Sequence, residues 1–318
     1  MSGPILAPLP RVHSANEFLE CVRRREPVLF RVDDVQESAW SLELEVSLRG
    51  MALPIRISNP AKPEDPPPRP YKQFWGYLWA SVNAYTLQRM TLADVRALAG
   101  DLCWMVSGID AALPASVSSV LCKLDTLTPE GSVTKKTGCW ISSGGNTTPL
   151  HWDAFGPHNL HMLLCGCKHL DLFEHSEASH LYCYGGPRYF SRFAAAVDVA
   201  RPDLERYPEY AKARGYSATL TAGDVLFIPA FWWHHAVHLG TFNVSATRWF
   251  DEPRATHPRE PPVPRHVHLN GLWYLMCEPC LDLALCVATW LAAWLLPSWL
   301  LTHWDWATGY FHLIPASR

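Results

Sequence analysis

A chain of 318 residues, 48% hydrophobic and only 18% charged, can bury one large core or two small ones. Its formal net charge of −3, with no basic block, argues against a protein held on nucleic acid by bulk electrostatics. The ten cysteines follow no secretory-type N-terminus, so they are expected as reduced thiols in the cytoplasm or nucleus; Cys277 and Cys280 form a CxxC without the second pair that zinc wants.

Residues 14–25 predict a helix, with Ser14 and Glu17 as a capping box and Phe18, Leu19 and Val22 as its apolar stripe. Glu26–Arg31 reads as a short buried strand, and Glu43–Leu48 alternates like another. Residues 59–70 form a proline-rich loop, and Tyr71–Tyr85 is rich in aromatics. Thr91–Leu98 is helical in pattern, capped by Thr91 with Asp94 three residues on. From Thr137 the chain turns to strands: residues 139–142, Thr148–Asp153, Leu160–Cys165 and His169–Phe173, the last two separated by Gly166-Cys167-Lys168. Tyr207–Arg214 reads as polar and irregular. Strands over Ala218–Thr221, Asp224–Ile228, His234–His238 and Phe242–Trp249 complete the set. Short strands punctuated by Gly and Pro imply a β-barrel or sandwich.

The chemistry concentrates at Thr148–Asp153. His151 and Asp153 stand two apart, so on an extended chain they project to one face and can reach one metal ion. A third ligand is offered by His234 or His235, of which one strand can turn only one inward. Two His and one carboxylate on one side of a metal suit non-haem Fe(II) and O₂ chemistry. The bland alternative is a chance HxD in a chain with 15 His. It would leave Asp153 among apolar neighbours without a partner, which is costly.

The run Gly145-Asn146-Thr147-Thr148-Pro149-Leu150-His151-Trp152-Asp153, with Lys168 and with Gly223–Pro229 leading into Trp232-Trp233-His234, resembles the JmjC domain of the cupin superfamily. The nearest pattern is the small asparaginyl-hydroxylase (factor inhibiting HIF) type branch, and the resemblance runs from about Trp140 to Trp249. It implies a mostly β fold with flanking helices, a double-stranded β-helix (jelly-roll or cupin) core and a helical C-terminal segment. It implies an oxygenase domain over 1–250 with its barrel core at about 137–250; composition adds a Pro-rich linker over 251–268 and a hydrophobic helical region over 269–318. In the family the ligand falls five residues after the Pro of an Ile-Pro turn, which selects His234 over His235. The resemblance makes His151, Asp153 and His234 the catalytic, iron-binding residues. Lys168, Thr148, Asn159 and Tyr77 become contacts to the cosubstrate 2-oxoglutarate. Lys168 lies two residues further from the HxD than usual, and Thr247 stands where the family often has a second Asn. Trp249 matches a substrate-side Trp of the family and by that match would line the cosubstrate pocket, against the commoner reading as a core ring. The implied reaction couples conversion of 2-oxoglutarate to succinate and CO₂ with hydroxylation of a C–H bond.

After Trp249 the composition changes. Leu281–Leu301 is 21 residues long with one charge, Asp282, flanked by Trp273, Tyr274, Trp304 and Trp306. That length can cross a bilayer between aromatic belts, and it equally suits apolar helices packed in a homodimer or core, with Pro297 as a break. Both readings stand, so the expected location is cytoplasmic or nuclear, with membrane attachment through residues 281–301 as the alternative. The expected activity is an Fe(II)- and 2-oxoglutarate-dependent dioxygenase acting on a protein or peptide side chain. Its rivals are an N-methyl-lysine demethylase, a tRNA-base hydroxylase disfavoured by the acidic balance, and a catalytically silent cupin-like scaffold.

Overall fold

The structure, a computed structural model, describes residues 3–32, 46, 48–58, 85–97, 103–107, 122–153, 157–182 and 197–252. Thirteen strands among these form two sheets. The larger sheet runs β2 (Val28–Arg31), β11 (Asp224–Ile228), β8 (His158–Cys165), β13 (Phe242–Asp251), β6 (Val133–Ser143), β5 (Cys103–Ser107), β3 (Leu53–Ser58) and β4 (Tyr85–Met90). The smaller runs β1 (Ile5–Pro8), β10 (Arg214–Thr221), β9 (Cys167–Phe173), β12 (Trp233–His238) and β7 (Thr147–His151). Among the described strands, β1 and β10 are the one parallel pair, beside an isolated parallel bridge between Arg11 and Leu29. Strands β6 and β13 begin and end the core, and the chain between them crosses from sheet to sheet. Four strands, β11-β8-β13-β6, thereby face four others, β10-β9-β12-β7, the winding of a double-stranded β-helix.

Period-2 alternation divides each strand between two environments. Leu160, Met162 and Leu164 of β8 join Phe227 of β11 and Ala246 of β13 on the outer face of the larger sheet. Helix α1 (Ala15–Arg24) covers that face through Phe18 and Val22, with the Phe18 and Phe227 rings edge to face. Leu163 turns the other way and meets Leu170, Leu172, Leu220, Leu226 and Ala236 between the sheets. Outside the smaller sheet, Phe173, Trp233 and Leu150 pack on Tyr207 and Tyr210. The polar site occupies the remainder of the space between the sheets.

Two helices begin as their caps dictate. Ser14 Oγ accepts from the Glu17 N–H while Glu17 accepts from the Ser14 N–H, each at 3.2 Å. Thr91 and Asp94 repeat the device at α2 (Leu92–Arg96). Of the strand expected over Glu43–Leu48, the described Val46 is helical and Leu48 lies in a turn; the other four lie outside the described residues. The separator expected over Gly166–Lys168 contracts to Gly166, whose φ of +90° makes the turn in one residue; Lys168 belongs to β9. Within the stretch read as irregular, Pro208–Lys212 is a short 3-10 helix that buries Tyr210 completely. Strands β1, β3, β4 and β5 were not expected. β1 and β3 carry Pro8 and Pro54, which spoil the strand signal. The proline-rich loop over 59–70, Tyr77, all but the first two residues of the linker over 251–268, and the whole hydrophobic region over 269–318 lie outside the described residues.

Candidate metal centre

Strands β7 and β12 lie side by side in the smaller sheet with His151 directly opposite His234. Their imidazole centroids are 4.2 Å apart. Asp153 follows β7 by two residues, and its Oδ1 lies 4.0 Å from Nε2 of both His151 and His234. At that separation neither imidazole hydrogen-bonds the carboxylate. One donor atom from each side chain falls within 4.8 Å of the others, a grouping that could hold a metal ion. Asp153 is not left to solvent: Asn159 Nδ2 donates to its Oδ2 at 2.7 Å, and the Trp249 indole donates as well. Burial alone would push its carboxyl up. The imidazoles of His234 and His151, with those two hydrogen bonds, outweigh burial and hold it below the ordinary carboxylate range. His234 Nδ1 lies 3.1 Å from the Trp232 carbonyl, which only accepts, so Nδ1 donates and Nε2 keeps its lone pair for a cation. Room for the Trp249 indole comes from Gly138, where a Cβ would sit 3.2 Å from Trp249 Cζ3.

The Thr-Pro-x-His spacing needs an irregularity to work. Thr148 and His151 are three apart and would face opposite ways on a regular strand. The ladder shifts here: His234 pairs His151 but Ala236 pairs Thr148, three residues on β7 against two on β12. This bulge at Pro149-Leu150 returns Thr148 to the side that carries His151.

Further along the same interior lies Lys168, opposite His238 in the β9–β12 ladder. It is 2% exposed, and its Nζ donates to Ser245 Oγ at 2.7 Å. Burial pulls its pKa down to about 7. Around it stand His161, whose Nδ1 lies 3.0 Å from Thr247 Oγ1, and His238, whose Nδ1 meets Ser142 Oγ. Burial, then the Lys168 charge, pushes His238 down to about 2 and His161 well below the ordinary imidazole range.

The structure thus brings together His151, Asp153, His234 and Asn159, with Thr148 and Lys168 on the same interior. Tyr77 lies outside the described residues. Asn159 holds the Asp153 carboxylate, a more specific position than the cosubstrate contact expected of it. His235 faces the opposite way, with its Nδ1 3.7 Å from Asp171. Trp249 hydrogen-bonds Asp153, a contact the sequence did not indicate. His238, Ser142 and Ser245 were missed, and His161 was noticed only as one of the histidines that alternate with apolar residues around the site. Alternation could have found most of them: 159 and 161 on β8, 234 and 238 on β12, and 245, 247 and 249 on β13 share the inward parity.

The family model for cupin-like domains matches residues 104–256. This part of the chain is similar to cupin-like domains. Among its relatives, the HSPB1-associated protein 1 homolog of Danio rerio is 29% identical over 249 residues, 76% of this chain and 49% of that protein. HSPB1-associated protein 1 of Homo sapiens is 36% identical over 112 residues, covering 35% of this chain and 23% of the relative. The tRNA wybutosine-synthesizing protein 5 of Homo sapiens is 38% identical over 97 residues, 30% of this chain and 28% of the relative. The chain spans half or less of the length of these curated relatives. The His-Asp-His group lies wholly inside the matched residues.

Proposed function

We propose that this chain is an Fe(II)- and 2-oxoglutarate-dependent oxygenase of the JmjC hydroxylase type, hydroxylating a protein side chain. The observation that carries the reading is the pairing of two ends in one interior. At one end His151, Asp153 and His234 present a facial donor set. At the other, a buried lysine has no carboxylate partner among the described residues. A dicarboxylate with a metal-chelating 2-oxo acid at one end fits both demands at once.

In this reading the three donors hold Fe(II), and Asn159 and Trp249 keep the Asp153 carboxylate turned to it. Lys168 takes the far carboxylate of 2-oxoglutarate, with the Thr148 hydroxyl on the same side of β7. Bound iron and 2-oxoglutarate supply an O₂-dependent oxidative decarboxylation to succinate and CO₂ that delivers one oxygen atom to a substrate C–H bond. The apolar residues between the sheets, Leu163, Leu170 and Leu172 among them, exclude water from that interior.

The test is anaerobic addition of Fe(II) and 2-oxoglutarate, followed by the weak visible charge-transfer band of the chelate, then succinate formation in air. A band lost in His151→Ala, with slow uncoupled succinate release, is the expected result. Absence of both in folded protein would instead favour a silent cupin-like scaffold. The likeness to the tRNA wybutosine-synthesizing proteins favours a second reading, hydroxylation of a nucleoside in RNA. The net charge of −3 weighs against it. Succinate release stimulated by tRNA rather than by peptides would select it.

A further inference from the structure

His161 occupies the middle of β8, opposite Thr247 on β13 and Leu226 on β11. It shares the inward parity of Asn159, which holds Asp153. Its Nδ1 is engaged by the Thr247 hydroxyl at 3.0 Å, but its Nε2 is buried with no hydrogen-bond partner among the described residues. A buried ring nitrogen left unpaired is costly. The charged or chargeable groups that act on it are Lys168 first, then His238 and His234, and none of them is a carboxylate. Ser245 and Thr247 stand two apart on one face of β13, so the Lys168–Ser245 and His161–Thr247 pairs are neighbours. Two deficits of the same kind therefore meet here: an ammonium without an anion, and a ring nitrogen without a partner. One carboxylate, with two oxygens and about four lone-pair sites, answers both.

We infer that His161 is a specificity-determining residue of this pocket, donating from Nε2 to the far carboxylate of a dicarboxylate beside Lys168. The inference rests on the oxygenase reading above. Thr247 sets the tautomer. A hydroxyl can donate or accept, and when it donates to Nδ1 the single proton of a neutral imidazole stands on Nε2. Burial and the Lys168 charge keep the ring neutral, so it offers an N–H rather than a second cation. The ligand selected is a 2-oxo acid with a carboxylate at its far end, against a 2-oxo acid of equal length that ends in a methyl group.

The experiment is calorimetry on the full chain loaded with Mn(II), titrated separately with 2-oxoglutarate and with 2-oxovalerate. Wild type is expected to prefer 2-oxoglutarate. His161→Leu should weaken 2-oxoglutarate about tenfold or more while leaving 2-oxovalerate within about twofold, the loss of one hydrogen bond to a charged group. Retained Mn(II) affinity reports that the variant is folded, and His161→Gln, which keeps a donor, should restore part of the preference. Thr247→Val should lower the preference about threefold by freeing the tautomer. The imidazole ¹⁵N shifts of His161 should show a protonated Nε2 in the 2-oxoglutarate complex. Equal weakening of both ligands, no weakening of either, or an unprotonated Nε2 overturns the inference and leaves the oxygenase reading intact. If wild type binds neither ligand, the oxygenase reading falls and takes the inference with it.

Discussion

The two ends of the interior are built on opposite electrostatic principles. At the His151 end, an acid is surrounded by groups that want it ionised: two imidazoles, an amide and an indole converge on Asp153. At the Lys168 end, a base is surrounded by groups that do little for its charge: Ser245, His161 and His238 are neutral partners in a buried space, and the Cys139 thiol favours the ammonium by less than burial opposes it. The first end is assembled before any ligand arrives, because a ladder register sets His151 against His234. The second is held at a cost that only an anion relieves. The metal end is also the more open, with His151 and Asp153 side chains 15% and 16% exposed against 2% for Lys168 as a whole.

Breaking the first end gives the largest effect. Asp153→Ala removes the only carboxylate of the donor group, and Fe(II) affinity should fall by more than about 100-fold, beyond what loss of a supporting residue costs. The barrel should stay folded, since Asp153 lies outside the strands and contributes to none of the three apolar clusters. Metal titration with circular dichroism on the same sample checks both halves. Unchanged Fe(II) binding would remove Asp153 from the centre.

Lys168→Met breaks the second end, and the comparison predicts a split response. Binding of 2-oxoglutarate should weaken about 100-fold, the loss of a buried charge-paired contact. Metal affinity should not change. The empty protein should become more stable, by roughly 1–3 kcal/mol, because a buried ionisable group gives way to an isosteric apolar one. Chemical denaturation of apo-protein reads this directly, and destabilisation would mean that Lys168 is already paired in the resting protein.

The same lysine predicts a pH dependence with a definite sign. Its pKa in the empty folded protein is about 7, far below its ordinary value in the unfolded chain. Between those two values the unfolded chain binds more protons, so stability rises with pH from about 7 upward. Below about 7 both states are protonated and the penalty is fully present. Ligand binding runs the other way. The carboxylate needs the ammonium, so 2-oxoglutarate affinity should fall up to about tenfold per pH unit above pH 7. In Lys168→Met both slopes should flatten.

What the sequence revealed of these two ends differs for a physical reason. His151 and Asp153 are two residues apart, so their common destination is written locally. The capping boxes at Ser14 and Thr91 and the strand over Asp224–Ile228 are legible on the same ground. Lys168 was visible as a residue, but its immersion was not, because that depends on β9 lying between β10 and β12. The contacts of His161 with Thr247 and of Trp249 with Asp153 join residues about ninety positions apart. Only the β8–β13 register makes them neighbours. Four strands escaped notice because they are short, or carry a proline, and owe their form to the neighbour they pair with. The bulge in β7 was equally hidden, although without it Thr148 would face away from the site.

The smallest effect is at Trp249, and it tests whether the two ends are independent. Trp249→Phe keeps most of the ring that packs over Gly138 and edge-on against Trp140, and deletes the N–H that reaches Asp153. The Asn159 hydrogen bond remains, so the carboxylate loses one of its two side-chain donors. Metal affinity should drop about tenfold, the lower range for loss of a supporting hydrogen bond. The preference for 2-oxoglutarate over 2-oxovalerate should not move, because Lys168 and His161 sit at the other end. If the preference moved as well, the two ends would be mechanically coupled through β13, on which Trp249, Thr247 and Ser245 all stand. Combining Trp249→Phe with Lys168→Met decides it: independent ends give additive losses in binding free energy, and a shared strand that shifts gives less than the sum.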